Sequence, residues 1–286
     1  MNVLSLFDGM SCGQIALNKL NKKIDNFYAS EIDKHAIQVT QHNFPNTIQL
    51  GDVTELNTDK LPNIDLLIGG SPCQSFSNAG NGSGFDGKSG LFYEYVRILN
   101  EVKPKYFLLE NVKMKKEWQD VISEHLGTQP IRINSSLVSA QNRERLYWTN
   151  IPNITQPDDK NILVSDILEK NVSDKYYLSG KWATWMEKNG KSKLDKKYSV
   201  VNPDKSITML ARQYSNWNGN FITDPSNFIN GNVINWNLVR KLTPIECERL
   251  QNVPDNYSSV VSDNQRYKML GNGWTVDIIV NFFKNL

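Results

Sequence analysis

The chain has 286 residues, 39% of them hydrophobic, and a formal net charge of +2, room for one large domain or one large and one small, with no compositional sign of a nucleic-acid binder beyond local clusters. No apolar run approaches the roughly 18 residues of a membrane span, and the start MNVLSLFDGM lacks a secretory signal, so a soluble, cytoplasmic protein with no membrane partner is expected. Cys12, Cys73 and Cys247 are odd in number and far apart, and His35, His42 and His125 are not at ligand spacing with them, which excludes a disulfide framework and predicts no metal site.

Residues 1 to about 150 alternate short apolar runs with amphipathic stretches. The runs at 3–7, 27–30, 64–68 and 106–109 are read as buried strands, and 13–20, 33–42 and 91–102 as helices, the last bounded by Pro104. Strand then helix, repeated, predicts an α/β fold with a parallel sheet covered on both faces. Residues 131–136 and 145–150 add two further strands. Pro152, Pro157, Asp158 and Asp159 mark a boundary. Residues 161–236 are richer in Lys, Asn and Trp and weakly periodic, and the lysine run at 181–197 reads first as a solvated face. Thr243-Pro244-Ile245-Glu246 is a helix start with a hydroxyl cap, Pro at the first position and Glu at the third; residues 278–283 form the apolar stripe of a closing helix.

The chemistry-bearing residues cluster at predicted strand ends. After the first strand comes Leu6-Phe7-Asp8-Gly9-Met10-Ser11-Cys12-Gly13, whose glycines let the backbone approach a ligand closely. Glu31 ends the second strand and Asp52 follows the third. An acid at the second tip suits a ribose diol, and one at the third can accept from an adenine amino group, so the set outlines a nucleoside ligand. Taken singly, each reads first as an ordinary turn residue. Gly69-Gly70-Ser71-Pro72-Cys73-Gln74 follows the fourth strand and places a Cys like a nucleophile, which requires local activation to the thiolate; alone, it reads as a small buried residue. Glu110-Asn111-Val112 ends the next strand, where a Glu can hold or deliver a proton or simply be solvated. In Gln141-Asn142-Arg143-Glu144-Arg145-Leu146-Tyr147-Trp148, the two arginines share a face if the segment is a strand. There they grip a base or phosphate, or make surface ion pairs.

In order, FDGMSCG, ASEID, GDV, GGSPCQ, ENV, QNRERLYW and GNGWTV resemble the DNA cytosine-5 methyltransferase family, and within it the branch of the animal de novo catalytic domains. The resemblance covers residues 1–150 and about 238–286. It implies a Rossmann-like, S-adenosylmethionine-dependent methyltransferase sheet flanked by helices, with a small target-recognition region. The domains expected are 1–160 for catalysis and cofactor, 161–236 for target recognition, and 237–286 returning to the catalytic domain.

By the same resemblance, S-adenosyl-L-methionine is the cofactor. Its contacts fall on Phe7, Asp8, Gly9, Ser11, Cys12 and Gly13, on Glu31 and Ile32, on Asp52 and Val53, and on Asn272 and Trp274, although Trp274 also reads as core packing. Met10 and Ser11 depart from the commonest bacterial form of the first motif. Cys73 is the implied nucleophile, with Ser71 and Pro72 against the substrate and Glu110, Arg145 and Arg143 in the catalytic set. Thiolate addition to carbon 6 of cytosine activates carbon 5 toward the methyl group, and the base must leave the duplex stack to reach it. The glycine-rich stretch at 75–84 is expected as a lid, with Ser77 or Asn78 filling the gap left by the base. Lys113, Lys115, Lys116 and the lysines of 181–197 are expected near phosphate. Residues 206–212 with Tyr214, Ser215, Asn216 and Trp217 are expected in a groove.

Double-stranded DNA is the expected partner, a cognate restriction endonuclease is admitted, and a monomer is expected with a dimer left open. Two alternatives remain: a tRNA cytosine-5 methyltransferase on the same fold, which usually carries a Cys-Phe-Thr element, and a non-catalytic DNA-binding relative, which would lack Cys73, Glu110 or Arg145.

Overall fold

The apolar runs of the N-terminal half lie side by side in a seven-stranded sheet ordered β3-β2-β1-β4-β5-β7-β6. Its strands are β1 (Asn2–Leu6), β2 (Asn26–Ser30), β3 (Ile48–Gln49), β4 (Leu66–Gly69), β5 (Tyr106–Val112), β6 (Ile131–Asn134) and β7 (Glu144–Thr149). Helices α1 (Cys12–Lys19), α2 (Lys34–Asn43), α3 (Phe92–Val102) and α4 (Lys116–Leu126) connect them. The computed structural model describes residues 1–72, 90–214 and 218–286. Contacts divide the chain into two units, one of 1–134, 144–157 and 276–286, the other of 135–143 and 158–275.

Every residue of β4 is buried, the continuous apolar pattern of a parallel strand covered on both faces. Leu4, Leu6, Leu67, Leu109 and Trp148 from the sheet pack with Phe92, Tyr95 and Ile98 of α3. The sheet is not wholly parallel, as the strand–helix alternation had predicted. β7 runs antiparallel to both β5 and β6. The link at 135–143 is shorter than the dozen or more residues a parallel crossover needs, so β7 returns in the opposite direction. The predicted closing helix is α9 (Val276–Phe283); it packs on α1, with Lys19 bonded to Asp277 at 2.9 Å and Phe282 against Tyr147.

The second unit holds α5 (Val164–Ile167), α6 (Lys181–Asp195), β8 (Ser199–Val201), β9 (Gly219–Ile222), β10 (Phe228–Ile229), β11 (Asn232–Val233), β12 (Arg240–Lys241), α7 (Pro244–Leu250) and α8 (Asp263–Asn272). Three of its strands form a sheet ordered β12-β9-β8, and β10 pairs with β11. Asn230 and Gly231 both have positive φ, the requirement of a tight hairpin turn with the right twist. The start read at Thr243 is a full capping box: Thr243 Oγ1 accepts from the Glu246 N–H at 3.1 Å and Glu246 Oε2 accepts from the Thr243 N–H at 2.8 Å. Glu246 also receives both Nη groups of Arg240 at 2.8 Å, so this buried carboxylate is fully hydrogen-bonded. The lysine run, read first as a solvated face, falls largely on the helix α6. Its inward side is Ala183, Met186 and Gly190, and its lysines lie on the rest.

Candidate active site

Parallel strands deliver their C-terminal ends to one edge of the sheet, where the following loops gather. The turns after β1, β2, β3, β4 and β5 all open there. Because β7 runs the other way, its first residues reach the same edge, and Arg145 stands opposite Val112 at the end of β5.

The first three turns are tied to one another. The Gly9 N–H donates to Glu31 Oε2 at 2.7 Å, and Glu31 Oε1 accepts from the Ile32 and Asp33 N–H groups at 2.8 Å. Ser30 Oγ donates to the Gly51 carbonyl at 2.8 Å. Asp52 Oδ1 takes both donors of Thr54 at 2.9 Å. The backbone is unusual at this point: Phe7, Gly9 and Ser11 have φ of 56°, 59° and 63°. A left-handed Phe and Ser in one turn cost free energy, and strain of this kind collects at ligand sites.

Two observations test whether a nucleoside cofactor fits. Asp8 Oδ2 is buried with no hydrogen-bond partner among the described residues, an acceptor awaiting a donor. A Cβ at Gly9 or Gly51 would meet nothing within 4 Å among the described residues, so these turns leave open space. Ile32, 73% exposed, adds an apolar face beside Glu31. The residues fit the group. They do so unequally, however. Ser11, Cys12 and Gly13 are buried, with the Ser11 hydroxyl bonded to Asp8 at 3.2 Å, so their side chains are not presented to a ligand. Val53 is a core residue, and its carbonyl accepts from Arg97 at 3.1 Å.

At the next turn, Glu110 is 8% exposed and lies 2.9 Å from Arg145 Nε. The pair is a diagonal cross-strand neighbour on one face of the sheet, and Arg145 Nη1 is steadied by the Glu144 carbonyl at 2.8 Å. Asn111, given no role by sequence reasoning, donates to Ser71 Oγ at 3.1 Å and to its carbonyl at 3.4 Å. It thereby holds the turn that leads through Pro72 to Cys73; its only sequence signal is its place between Glu110 and Val112. Gly69 is required there too, since a Cβ would press on the Tyr95 ring at 3.0 Å. Cys73, Gln74, Ser77, Asn78 and the rest of the expected lid lie outside the described residues, as do Ser215, Asn216 and Trp217.

Arg143 departs from the expectation of a shared face with Arg145. β7 begins at Glu144, so the alternation does not extend back to residue 143. The Arg143 side chain is 3% exposed and donates to three main-chain carbonyls of the second unit. These contacts are separate from the Glu110–Arg145 pair. Lys113, Lys115 and Lys116 each have a carboxylate partner, in Glu144, Glu117 and Asp120, the surface ion pairing that such a run most often makes. Asn272 is exposed at the end of α8 and Trp274 is half-buried two residues on.

A family model described as C-5 cytosine-specific DNA methylase matches residues 1–286. The type II methyltransferase M1.ScrFI of Lactococcus lactis subsp. cremoris is 33% identical over 97% of this chain and 75% of its own length. M.NlaX of Neisseria lactamica is 32% identical over 97% and 93%, and M.HpaII of Haemophilus parainfluenzae 33% over 96% and 86%. Among solved structures, the Entamoeba histolytica methyltransferase EhMeth aligns with a TM-score of 0.81 at 18% identity, covering 100% of this chain and 97% of that one. The S. pombe Dnmt2 methyltransferase aligns at 0.75 and 18%, covering 99% and 97%. At those identities the two structures speak for a shared methyltransferase fold. The family match is full-length and the type II enzymes align along nearly the whole chain, so this protein belongs to the C-5 cytosine-specific DNA methylase family and is a DNA cytosine-5 methyltransferase.

Proposed function

We propose that the chain methylates a cytosine flipped out of double-stranded DNA, with Cys73 as nucleophile and Glu110 and Arg145 holding the base. The observation that carries this reading is the 2.9 Å Glu110–Arg145 pair at the sheet edge from which the Ser71–Pro72 turn runs to Cys73. The Cys73 thiolate adds to carbon 6 of the ring, and the displaced π electrons make carbon 5 nucleophilic. Glu110 hydrogen-bonds ring nitrogen 3 and the amino group, while Arg145 holds the ring oxygen, so charge that develops on the ring meets fixed partners. Once carbon 5 carries the methyl group, loss of its proton to water returns the electrons to the ring and expels Cys73. Asn111 acts behind them by fixing Ser71.

Bound S-adenosyl-L-methionine supplies the electrophilic methyl group. Its nucleoside is held by Glu31, Ile32 and Asp52, and the main chain of the Phe7–Gly9 turn and of residues 11–13 lines its other end together with Asp8. Asn272 and Trp274 are proposed as further contacts on their motif alone. Residues 161–236 are assigned to target recognition, with α6 lysines on phosphate. The type II relatives favour a cognate restriction endonuclease as a companion, in a bacterial cytoplasm.

The test is mechanism-based trapping. Fluorine at carbon 5 cannot leave as a proton does, so duplex DNA carrying 5-fluorocytosine, with S-adenosylmethionine, should form a denaturant-stable complex whose cross-linked peptide contains Cys73. An undiminished complex with Cys73→Ser would refute the assignment.

A further inference from the structure

We infer that Arg143 is a positioning residue for DNA recognition: it clamps residues 206–211 against the end of α8 and so sets where Leu210 and Arg212 meet the DNA. The inference rests on the reading of 161–236 as the recognition region. Arg143 Nη1 donates to the Met209 carbonyl at 3.0 Å, and Nη2 donates to the carbonyls of Gly271 and Gly273 at 3.0 and 2.9 Å. The last carbonyls of a helix lack intrahelical partners and carry the negative end of its dipole. A buried guanidinium is suited to both. Gln251 completes the cap, with Nε2 donating to the Leu270 and Gly273 carbonyls at 2.8 and 3.2 Å.

The same short segment that carries Arg143 forms a ladder with the recognition segment. The Ser206 N–H donates to the Ala140 carbonyl at 2.7 Å, and the Asn142 N–H to the Ser206 carbonyl at 2.9 Å. Thr208 Oγ1 donates to the Asn142 carbonyl at 2.6 Å, and Gln141 Oε1 accepts from the Met209 N–H at 2.8 Å. On the other side α8 approaches so closely that a Cβ on Gly271 would lie 2.3 Å from the Leu210–Ala211 peptide. Residues 206–211 are thus held from both sides. Leu210, 46% exposed, lies within the held stretch, and the exposed Arg212, which follows it, has no partner among the described residues.

The Arg143 contacts to Met209, Gly271 and Gly273 are all to main chain. Such a clamp is indifferent to the side chains of the segment it holds, which leaves those side chains free to read bases. It also needs the planar fork of an arginine: one ammonium cannot span three carbonyls in that arrangement. Since Arg143 is bonded through Glu144 to Arg145, the anchor of the recognition segment lies two residues from a group proposed to hold the target base.

The experiment uses the full chain, a duplex library with randomised bases around a fixed cytosine, S-adenosylmethionine, and bisulfite sequencing over time. It reads the ratio of methylation rates between the preferred context and contexts differing at one base pair. Arg143→Lys should lower that ratio about tenfold, the order of discrimination carried by one base-pair contact. Arg145→Lys should lower the rate in every context and leave the ratio intact. If Arg143→Lys instead loses activity in all contexts alike, whether through a smaller folded fraction or a lower kcat, the clamp has no part in recognition and the inference fails. Should Arg143→Lys not fold, Gly271→Ala presses on the same segment from its other side, and an unchanged ratio in that variant overturns the inference equally. Arg212→Ala separates the two layers. A shifted ratio there with none for Arg143→Lys rejects the clamp and keeps the recognition segment, whereas no shift in either rejects both.

Discussion

Burial lifts the Asp8 carboxyl from its ordinary 3.8 to about 7, against the hydrogen bonds of Ser5 and Ser11 and with help from the Glu31 charge. The folded protein therefore holds this proton more tightly than the unfolded chain. Its contribution to stability is complete below about pH 4, declines as pH rises, and is lost once pH has passed about 7. Asp8→Asn, which cannot ionise, should gain on the native protein between about pH 4 and 7 and hold a constant lead above that. Thermal unfolding of both proteins across this range reads the difference directly. A lead that does not change with pH would mean that Asp8 ionises as freely in the fold as out of it. The presence of Asp8 in a glycine turn was legible from the sequence. Its missing partner was not, because a buried unpaired oxygen is a property of surroundings drawn from several segments.

Among the elements, α6 and β7 show where local pattern stops deciding structure. The six lysines between 181 and 197 mask a helix whose buried side is only Ala183, Met186 and Gly190. Gly190 is there because a Cβ would lie 2.3 Å from Trp236 Cζ2. Gly190→Ala should gain up to about 1 kcal/mol of helix propensity and lose about 1–3 kcal/mol to overpacking, for a net loss visible as a lower urea midpoint. A variant as stable as the native protein would show that Trp236 moves aside without cost. β7 makes the complementary point. Its apolar content marked a strand, and its direction followed from the length of the link before it. Its start at Glu144 then separated two arginines that a two-residue spacing had placed together.

At the level of the whole molecule, a net charge of +2 means that affinity for duplex phosphate depends on where the lysines lie. Those at 113, 115 and 116 are paired with carboxylates. Lys188 and Lys191 on α6 are exposed and have no partner among the described residues. If α6 meets phosphate, replacing both by Gln should reduce the slope of log K against log salt by nearly 2, about 0.9 per contact. An unchanged slope would leave α6 a solvated face. Short strand-then-turn motifs were enough to determine the family and the α/β class, and to single out Asp8, Glu31 and Asp52 and the pair Glu110 and Arg145. Each of those features is short in sequence and repeats with the strand–helix period. Only the tertiary structure decided that Asn111 holds Ser71, that Ser11 and Cys12 are buried, and that Arg143 donates to the carbonyls of Met209, Gly271 and Gly273. The physical reason is the same in each case: the deciding partners are main-chain carbonyls and buried space contributed by segments far away in sequence, and a carbonyl carries no mark in the sequence of where it will be needed.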